Sequence, residues 1–433
     1  MTKVLVFGAA RSGVAAALLL ANKGYAVTIT DKNEISETTQ LQEKGISVYS
    51  GNHPQALKTD DWAFVVKNPG ILYQNEFIEY FKEKGIPILN ETEIALKYGD
   101  FIIGAITGTN GKTTTTTLLA ELLKSEYPDS YSAGNIGYPL AALVNQGVNK
   151  AHIALEISAQ QLIATPSLKP KVAVITNLSP DHLNYFPDLS TYYQSKFCIV
   201  DNMSEDDYFL LNLDDQTIVD NLPKCQASLI TFSLKQKSDI YQADDGVYYL
   251  DNKLFSLSDW ALPGEHNLQN AMVAAGMAFL LGVQPSNIQK VIRCFKGVEH
   301  RIEFVRTVNG VDYYNDSKAT NVDSTIICLK ALKGKSIILL AGGQDKKTGF
   351  VDLVPFLSDV KQLITYGETA EELKELKPGT IIVNNLKEAF VQAQALAEAG
   401  DLVVLSPACA SLDQFINFEE RGRLFKELVA GLD

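Results

Sequence analysis

The run from Phe101 to Thr114 constrains this chain most, because it sets a short apolar, β-rich stretch (Phe101 to Ile106) directly before Gly108-Thr109-Asn110-Gly111-Lys112-Thr113-Thr114. A helix is predicted after it, from about Lys112 to Ser125. Strand, glycine loop and helix in that order are the grammar of a parallel sheet with right-handed crossovers. In such a loop the backbone N–H groups converge on phosphate oxygens and the helix N-terminus adds partial positive charge. The lysine counters the β- and γ-phosphates, and the Thr113 hydroxyl can ligate Mg²⁺. The usual G-x-x-x-x-G-K-[ST] spacing would put glycine at 106, where this chain has Ile106, so Gly108 and Gly111 are the turn residues of a variant loop. An ordinary glycine-rich βα turn is the plain alternative.

The same grammar recurs on both sides. The chain has 433 residues, more than one hydrophobic core usually sustains, and three α/β blocks are predicted: 1–91, 92–297 and 298–433. The first is Rossmann-like, with strands at Lys3 to Phe7, Ala26 to Thr30, Phe64 to Lys67 and Pro87 to Leu89. The second is a mononucleotide-binding P-loop domain in which short strands such as Leu229 to Ser233 and Val247 to Leu250 suggest a small antiparallel patch. The third resembles a dinucleotide fold, with strands at Val311 to Tyr314, Ser336 to Ala341, Gln362 to Thr365, Thr380 to Val383 and Leu402 to Leu405.

Composition narrows the partners. A formal net charge of −13 argues against nonspecific binding to a nucleic-acid backbone or an anionic membrane, while leaving room for a local basic pocket. No apolar run approaches the ~18 to 20 residues needed to cross a bilayer, so membrane insertion is not expected. The start of the chain reads as a first strand, without the pattern of a cleaved signal. Five scattered cysteines, none in C-x-x-C spacing, point to a reducing cytoplasm and no zinc site.

A P-loop alone leaves motor, switch, kinase and ligase open. Downstream, Glu156 ends a predicted strand, where a metal ligand or water-orienting group is expected, and Asp181-His182 follows another. Taken alone, a histidine such as His182 is more often a hydrogen-bonded structural residue, but the flanking Asp181 and the strand-end position point toward function. The first glycine loop, Gly8 to Gly13 with Asp31 at the end of the next strand, looks like a dinucleotide-binding turn with Ala10 in place of its middle glycine.

Several motifs in this order resemble the Mur ligase family of bacterial cell-wall synthesis. They are Gly108 to Thr114, Glu156-Ile157-Ser158, Asn177 to Leu183, Gly264 to Asn270, His300-Arg301, Asp316 to Asn321 and Ser406 to Phe415. The last two resemble the member that joins D-glutamate to UDP-N-acetylmuramoyl-L-alanine. The resemblance implies an ATP-dependent, amide-forming ligase acting through an acyl phosphate and a tetrahedral intermediate. It further implies a monomer with a catalytic cleft between three domains that closes on its ligands.

By resemblance, Lys112, Glu156, His182, Lys196 and Lys318 are catalytic. Thr113, Glu156, His182 and a carbamate on Lys196 hold two magnesium ions; without the resemblance, Lys196 reads as an unmodified surface lysine. ATP contacts extend to Asn267, Asn270, Arg301 and Asp316, with His300 nearby. Asn267 and Asn270 read equally as helix N-caps, and Asp316 with Lys318 as an exposed ion pair. The UDP-linked substrate is implied to lie on Ala10, Arg11, Ser12, Asp31, Lys32, Asn68, Gly70, Asn135 and His182; Asn135 also reads as a left-handed turn residue. D-glutamate is assigned to Thr320, Lys346, Ser411, Leu412 and Phe418, with Lys347 competing for the role of Lys346. Rival readings are a relative using another amino acid, a P-loop switch, and a Rossmann oxidoreductase.

Overall fold

A computed structural model describes residues 1–180, 185–344 and 349–432. Its contacts divide the chain into two compact units, Met1–Ala261 with Glu265–Phe295, and Leu262–Gly264 with Lys296–Asp433.

The first unit carries two sheets. β1 (Lys3–Phe7), β2 (Ala26–Thr30), β3 (Ser47–Tyr49), β4 (Val65–Lys67) and β5 (Ile88–Leu89) form a parallel sheet of order β3-β2-β1-β4-β5. Val4 to Phe7 are all fully buried, as expected of a central parallel strand covered on both faces, which reads as a continuous apolar run. β6 (Asp100–Thr107), β7 (Ser130–Gly134), β8 (Lys150–Glu156), β9 (Val172–Ile175), β10 (Tyr208–Asn212), β11 (Ser228–Ser233), β12 (Ile240–Ala243), β13 (Gly246–Tyr249) and β14 (Asn252–Ser256) form the second, of order β14-β13-β12-β11-β10-β9-β6-β8-β7. Only β12, β13 and β14 pair antiparallel. The expectation that Leu229 to Ser233 belongs to the antiparallel patch is corrected: β11 pairs parallel with both β10 and β12.

One apolar core runs through both sheets of this unit. The short helix Glu91–Leu96 sits at their junction. Asn90 caps it by accepting from the Glu93 N–H, and its own amide donates to the Gln161 carbonyl and the Thr165 hydroxyl at 2.8 and 2.7 Å. The Glu91 carboxylate accepts from the Ala141 N–H, and burial pushes its pKa up to about 7.

The second unit holds β15 (Glu303–Val308), β16 (Val311–Asn315), β17 (Ser336–Gly342), β18 (Val360–Tyr366), β19 (Ile381–Ile382) and β20 (Asp401–Leu405), in the order β15-β16-β20-β17-β18-β19. Only the β15/β16 hairpin is antiparallel. Apolar clusters cover both faces of this sheet. In open α/β sheets the loops at the carboxyl ends of parallel strands are free to carry ligands, and the motif loops here follow β1, β4, β6, β8, β9, β16 and β20.

Candidate active site

The loop after β6 is held rigidly from beneath. Gly108 and Gly111 have φ of +139° and +84°, conformations that side chains rarely tolerate. A Cβ on Gly108 would lie 2.0 Å from Thr176 Oγ1, and one on Gly111 2.4 Å from Asn270 Oδ1. The loop after β9 pins it: Thr109 N donates to the Asn177 carbonyl and Asn110 N to Asn177 Oδ1, both at 2.9 Å, while Thr176 Oγ1 donates to the Asn110 carbonyl at 2.6 Å. Lys112 Nζ folds back onto the carbonyls of Gly108 and Thr109 at 2.9 and 2.8 Å. The helix Lys112–Lys124 has no acidic residue in its first turn and no side-chain cap. Its amino end therefore keeps the positive end of its dipole for an anion. Thr113 and Thr114 are buried at this end. Five consecutive threonines are poor helix formers; burial of Thr113 to Thr116 together with Leu118, Leu119 and Leu122 holds them helical.

Asn270 is buried under the loop and accepts from Thr115 Oγ1 at 3.3 Å. The capping alternative for Asn267 and Asn270 fails, because their helix starts at Glu265. Neither lines the neighbouring cavity of about 480 Å³, whose wall includes Asn177, Asp215, Lys235 and His266.

Glu156 ends β8 opposite Ile106 of β6 and Gly134 of β7. Only 1% of it is exposed. Oε1 accepts from the Asn135 amide at 2.7 Å, whereas buried Oε2 has no hydrogen-bond partner among the described residues. An orphaned buried carboxylate oxygen is costly unless a cation or donor meets it. A carboxylate oxygen in that position suits a hard divalent cation such as Mg²⁺. Asn135 is not a left-handed turn residue; Gly134 and Gly137 take the positive φ angles. The surface reading of Lys196 fails as well. The residue is 2% exposed, its Nζ donates to the Gly108 carbonyl at 2.9 Å, and it lies 4.7 Å from the centre of the Tyr192 ring. His182 lies outside the described residues.

A cavity of about 490 Å³ opens at the carboxyl end of the first sheet, and its wall includes Ala10, Asp31, Lys32, His53, Asn68 and Gly70. Gly13 is required beneath it, since a Cβ there would lie 1.9 Å from the Gly8 carbonyl oxygen. Both Asp31 oxygens are engaged by backbone, accepting from Ala9 N at 2.7 Å and Asn33 N at 2.9 Å. Asp31 thus shapes the turn. Ser12 accepts from the Asn68 amide at 3.3 Å, and Arg11 donates to the Gly137 carbonyl at 3.2 Å; neither lines the cavity.

The sequence reading missed Lys67, at the end of β4. It is 2% exposed, and Nζ donates to the Ile71 carbonyl at 2.7 Å, the Tyr185 hydroxyl at 2.9 Å and the Asn68 carbonyl at 3.2 Å. Its Nζ also faces the Tyr73 and Tyr185 rings at 4.7 and 5.5 Å. Burial pulls its pKa down to about 8.

In the second unit, Asp316 follows β16 and Ser406 follows β20, whose ends are in register at Asn315 and Leu405. Asp316 is not an exposed ion-pair member: it is 3% exposed, accepts from Ser406 Oγ at 2.7 Å and Ile302 N at 3.1 Å, and burial pushes its pKa up to about 6. It holds the bend in which His300 and Ile302 have φ of +65° and +44°, and so positions half-buried Arg301. His300 itself turns inward, its Nδ1 bonded to the Asn315 amide at 2.9 Å and packed against Gly422. Lys318 Nζ stands 5.8 Å from the Phe418 ring centre. Thr320 N donates to the Lys318 carbonyl, Ser411 is buried and Leu412 is exposed. Lys346 and Lys347 lie outside the described residues.

Arg421 was also missed. It is fully buried on the helix Phe418–Ala430, and its guanidinium donates to Ser317 Oγ and O at 3.0 and 2.9 Å and to the carbonyls of Cys409 and Ala410 at 3.1 and 3.2 Å. It therefore fastens the loop after β16 to the loop after β20. In sequence it sits in a charged helix that reads as a solvated face.

Comparison with known proteins finds three matching family descriptions along the chain. Residues 9–95 match the Mur ligase family catalytic domain, 106–278 the Mur ligase middle domain, and 300–409 the Mur ligase glutamate ligase domain. A UDP-N-acetylmuramoylalanine--D-glutamate ligase from Lactococcus lactis subsp. lactis is 39% identical over 431 residues, covering 98% of this chain and 96% of its own. One of the same name from Listeria monocytogenes serotype 4b is 39% identical over 440 residues, covering 99% and 96%. The crystal structure of UDP-N-acetylmuramate-alanine ligase from Thermotoga maritima shares the fold, with a TM-score of 0.61 at 19% identity and 99% of each chain covered. With these end-to-end matches and a phosphate loop set against a buried strand-end carboxylate, the chain belongs to the Mur ligase family.

Proposed function

We propose that this chain joins D-glutamate to UDP-N-acetylmuramoyl-L-alanine with cleavage of ATP, in peptidoglycan precursor synthesis. The observation that carries this reading is the 39% identity, along nearly the whole chain, to ligases named for that reaction.

A carboxylate oxygen is a poor leaving group. Phosphoryl transfer from ATP to the L-alanyl carboxylate makes an acyl phosphate, the D-glutamate amine attacks its carbonyl, and the tetrahedral intermediate expels phosphate. Negative charge gathers throughout, so positioning and electrostatics dominate catalysis. The Gly108, Thr109, Asn110 and Gly111 backbone, with Thr114, cradles the phosphates. Lys112 exchanges its loop carbonyls for phosphate oxygens, and Asn267, Asn270, Arg301 and Asp316 define the rest of the ATP site. Magnesium, when bound by Thr113, Glu156, His182 and a carbamate on Lys196, supplies charge neutralisation. Lys196 can keep its bond to the Gly108 carbonyl after carboxylation, since a carbamate retains one N–H.

Residues 1–91 anchor the UDP-linked substrate through Ala10, Arg11, Ser12, Asp31, Lys32, Asn68 and Gly70, and Asn135 and His182 approach its reacting end. Residues 92–297 activate it. Residues 298–433 deliver D-glutamate through Thr320, Lys346, Ser411, Leu412 and Phe418, with Lys318 at the transferred phosphoryl group. No helix among the described residues is long and apolar enough to cross a membrane. A monomer working in the cytoplasm, where ATP and UDP-sugars are made, completes the proposal.

Phosphate release from ATP is the test, measured with UDP-N-acetylmuramoyl-L-alanine and D-glutamate, L-glutamate, L-lysine or diaminopimelate in turn. Release with D-glutamate alone is expected. Release with no acceptor overturns the ligase reading, and release with L-lysine alone overturns the choice of amino acid. For the carbamate, Lys196→Ala is expected to be inactive and partly rescued by short carboxylates; absence of rescue counts against it.

A further inference from the structure

We infer that His53 selects the base of the substrate's nucleotide, accepting at Nε2 the N3–H of a uracil ring. This rests on the reading of the substrate as UDP-linked.

The argument begins with a proton count. Thr30, fully buried at the end of β2, has one hydroxyl proton, and its Oγ1 donates to the Asn52 carbonyl at 3.0 Å. The same oxygen lies 2.9 Å from His53 Nδ1. A carbonyl can only accept, so satisfying both contacts makes Oγ1 the acceptor from Nδ1–H. The tautomer follows: the proton is on Nδ1, and Nε2 carries a lone pair. One face of the imidazole is stacked on Phe7, with ring centres 4.3 Å apart at 25°, and the Phe77 ring lies at 5.7 Å and 58°. With a face and the Nδ1 edge taken, the perimeter left to the ring is the Nε2 edge, and the residue lines the 490 Å³ cavity beside Asp31, Lys32 and Asn33. No protein group among the described residues bonds Nε2. Burial holds the ring's pKa below its ordinary value, Lys32 acting in the same sense and Asp31 against it, so the lone pair persists at neutral pH.

The chemistry of this acceptor decides between pyrimidines. Uracil presents an N–H at ring position 3, whereas cytosine presents a lone pair there, which would face another lone pair. Each Asp31 oxygen already accepts one backbone N–H, from Ala9 and from Asn33, whereas the Nε2 lone pair of His53, its tautomer fixed by Thr30, has no partner among the described residues.

Calorimetric titration of the full-length chain with UDP, CDP and 3-methyluridine diphosphate tests the inference. UDP is expected to bind roughly tenfold or more tighter than either analogue, the scale of one lost hydrogen bond with a stranded partner. His53→Gln can offer an oxygen or an amide N–H by rotation, so UDP binding is expected to persist while the preference over CDP collapses. Thr30→Val leaves the cavity wall unchanged but frees the tautomer, and is expected to lower the preference several-fold with the melting curve checked for folding. An unchanged preference in both variants, or equal wild-type binding of UDP and CDP, overturns the role of His53 alone. Failure of the wild-type chain to bind UDP removes the substrate reading and this inference together.

Discussion

Replacing Lys67 by methionine isolates the energetic cost of burying an ammonium group. Lys67 has three oxygen acceptors and two aromatic faces around Nζ, and burial is the one influence that shifts its titration. Burial lowers its pKa from 10.5 to about 8. Below pH 8 the group is charged in both folded and unfolded chains, and the whole cost of desolvation is felt. Between pH 8 and 10.5 the unfolded chain binds a proton that the folded chain does not, so stability rises with pH. At about 1.4 kcal/mol for each unit of pH, that interval is worth roughly 3 kcal/mol. Methionine fills similar volume and does not titrate, so the wild-type chain gains about this much over Lys67→Met between pH 7 and pH 10.5. Burial pushes Tyr73 up to about 12 and Tyr185 higher still, but these phenols are present in both proteins and their own linkage cancels in the difference. The assay is urea unfolding followed by Trp62 fluorescence in a Trp260→Phe background, leaving one of the chain's two tryptophans, at pH 7 and pH 10. A stability difference that stays within about 0.5 kcal/mol between those pH values refutes the reasoning, because this linkage requires it to grow.

Three further outcomes are expected. Gly108→Ala places its Cβ against both the hydroxyl and the backbone nitrogen of Thr176, at 2.0 and 3.0 Å, and should lower ATP-dependent phosphate release by about 100-fold or more; Gly111→Ala meets only the movable Asn270 amide and should lose about tenfold or less. Equal losses in the two variants contradict that ordering. Glu156→Gln keeps an oxygen for Asn135 but removes the charge beside orphaned Oε2, so the Mg²⁺ concentration for half-maximal activity should rise by roughly 10- to 100-fold; an unchanged magnesium titration argues against a metal there. Arg421→Lys cannot reach four acceptors at once, and should raise KM for D-glutamate by about tenfold, with a smaller rise in KM for ATP because Asp316 stands on one of the two loops it fastens. An effect on ATP alone would contradict the role given to the loops it fastens.

The parallel framework was legible in the sequence for most strands that are buried on both faces. Lys3–Phe7 and Ala26–Thr30 are found where the apolar runs predict them. Ser47–Tyr49 has no buried residue and Glu303–Val308 only one, so neither carries an apolar signal; Tyr208–Asn212 hides between polar turns. The phosphate loop was legible because glycine, lysine and threonine each answer a separate demand of a phosphate. What pattern cannot supply is the buried charge. Lys67 and Arg421 look like solvated residues in the sequence, and only folding surrounds them with carbonyl oxygens. Lys196 looks the same, and its burial against Gly108 is likewise a product of tertiary packing. His53 escaped for another reason: its tautomer depends on a hydroxyl whose own proton is committed elsewhere.

The four acceptors around Arg421 amount to a hydration shell built of polypeptide. A shell of that kind has a fixed circumference. Adding or deleting one residue between Ser406 and Ser411 would carry the Cys409 and Ala410 carbonyls past the guanidinium and strand a charge in the interior. The loop's length is therefore locked, and change in this part of the chain is confined to substitution.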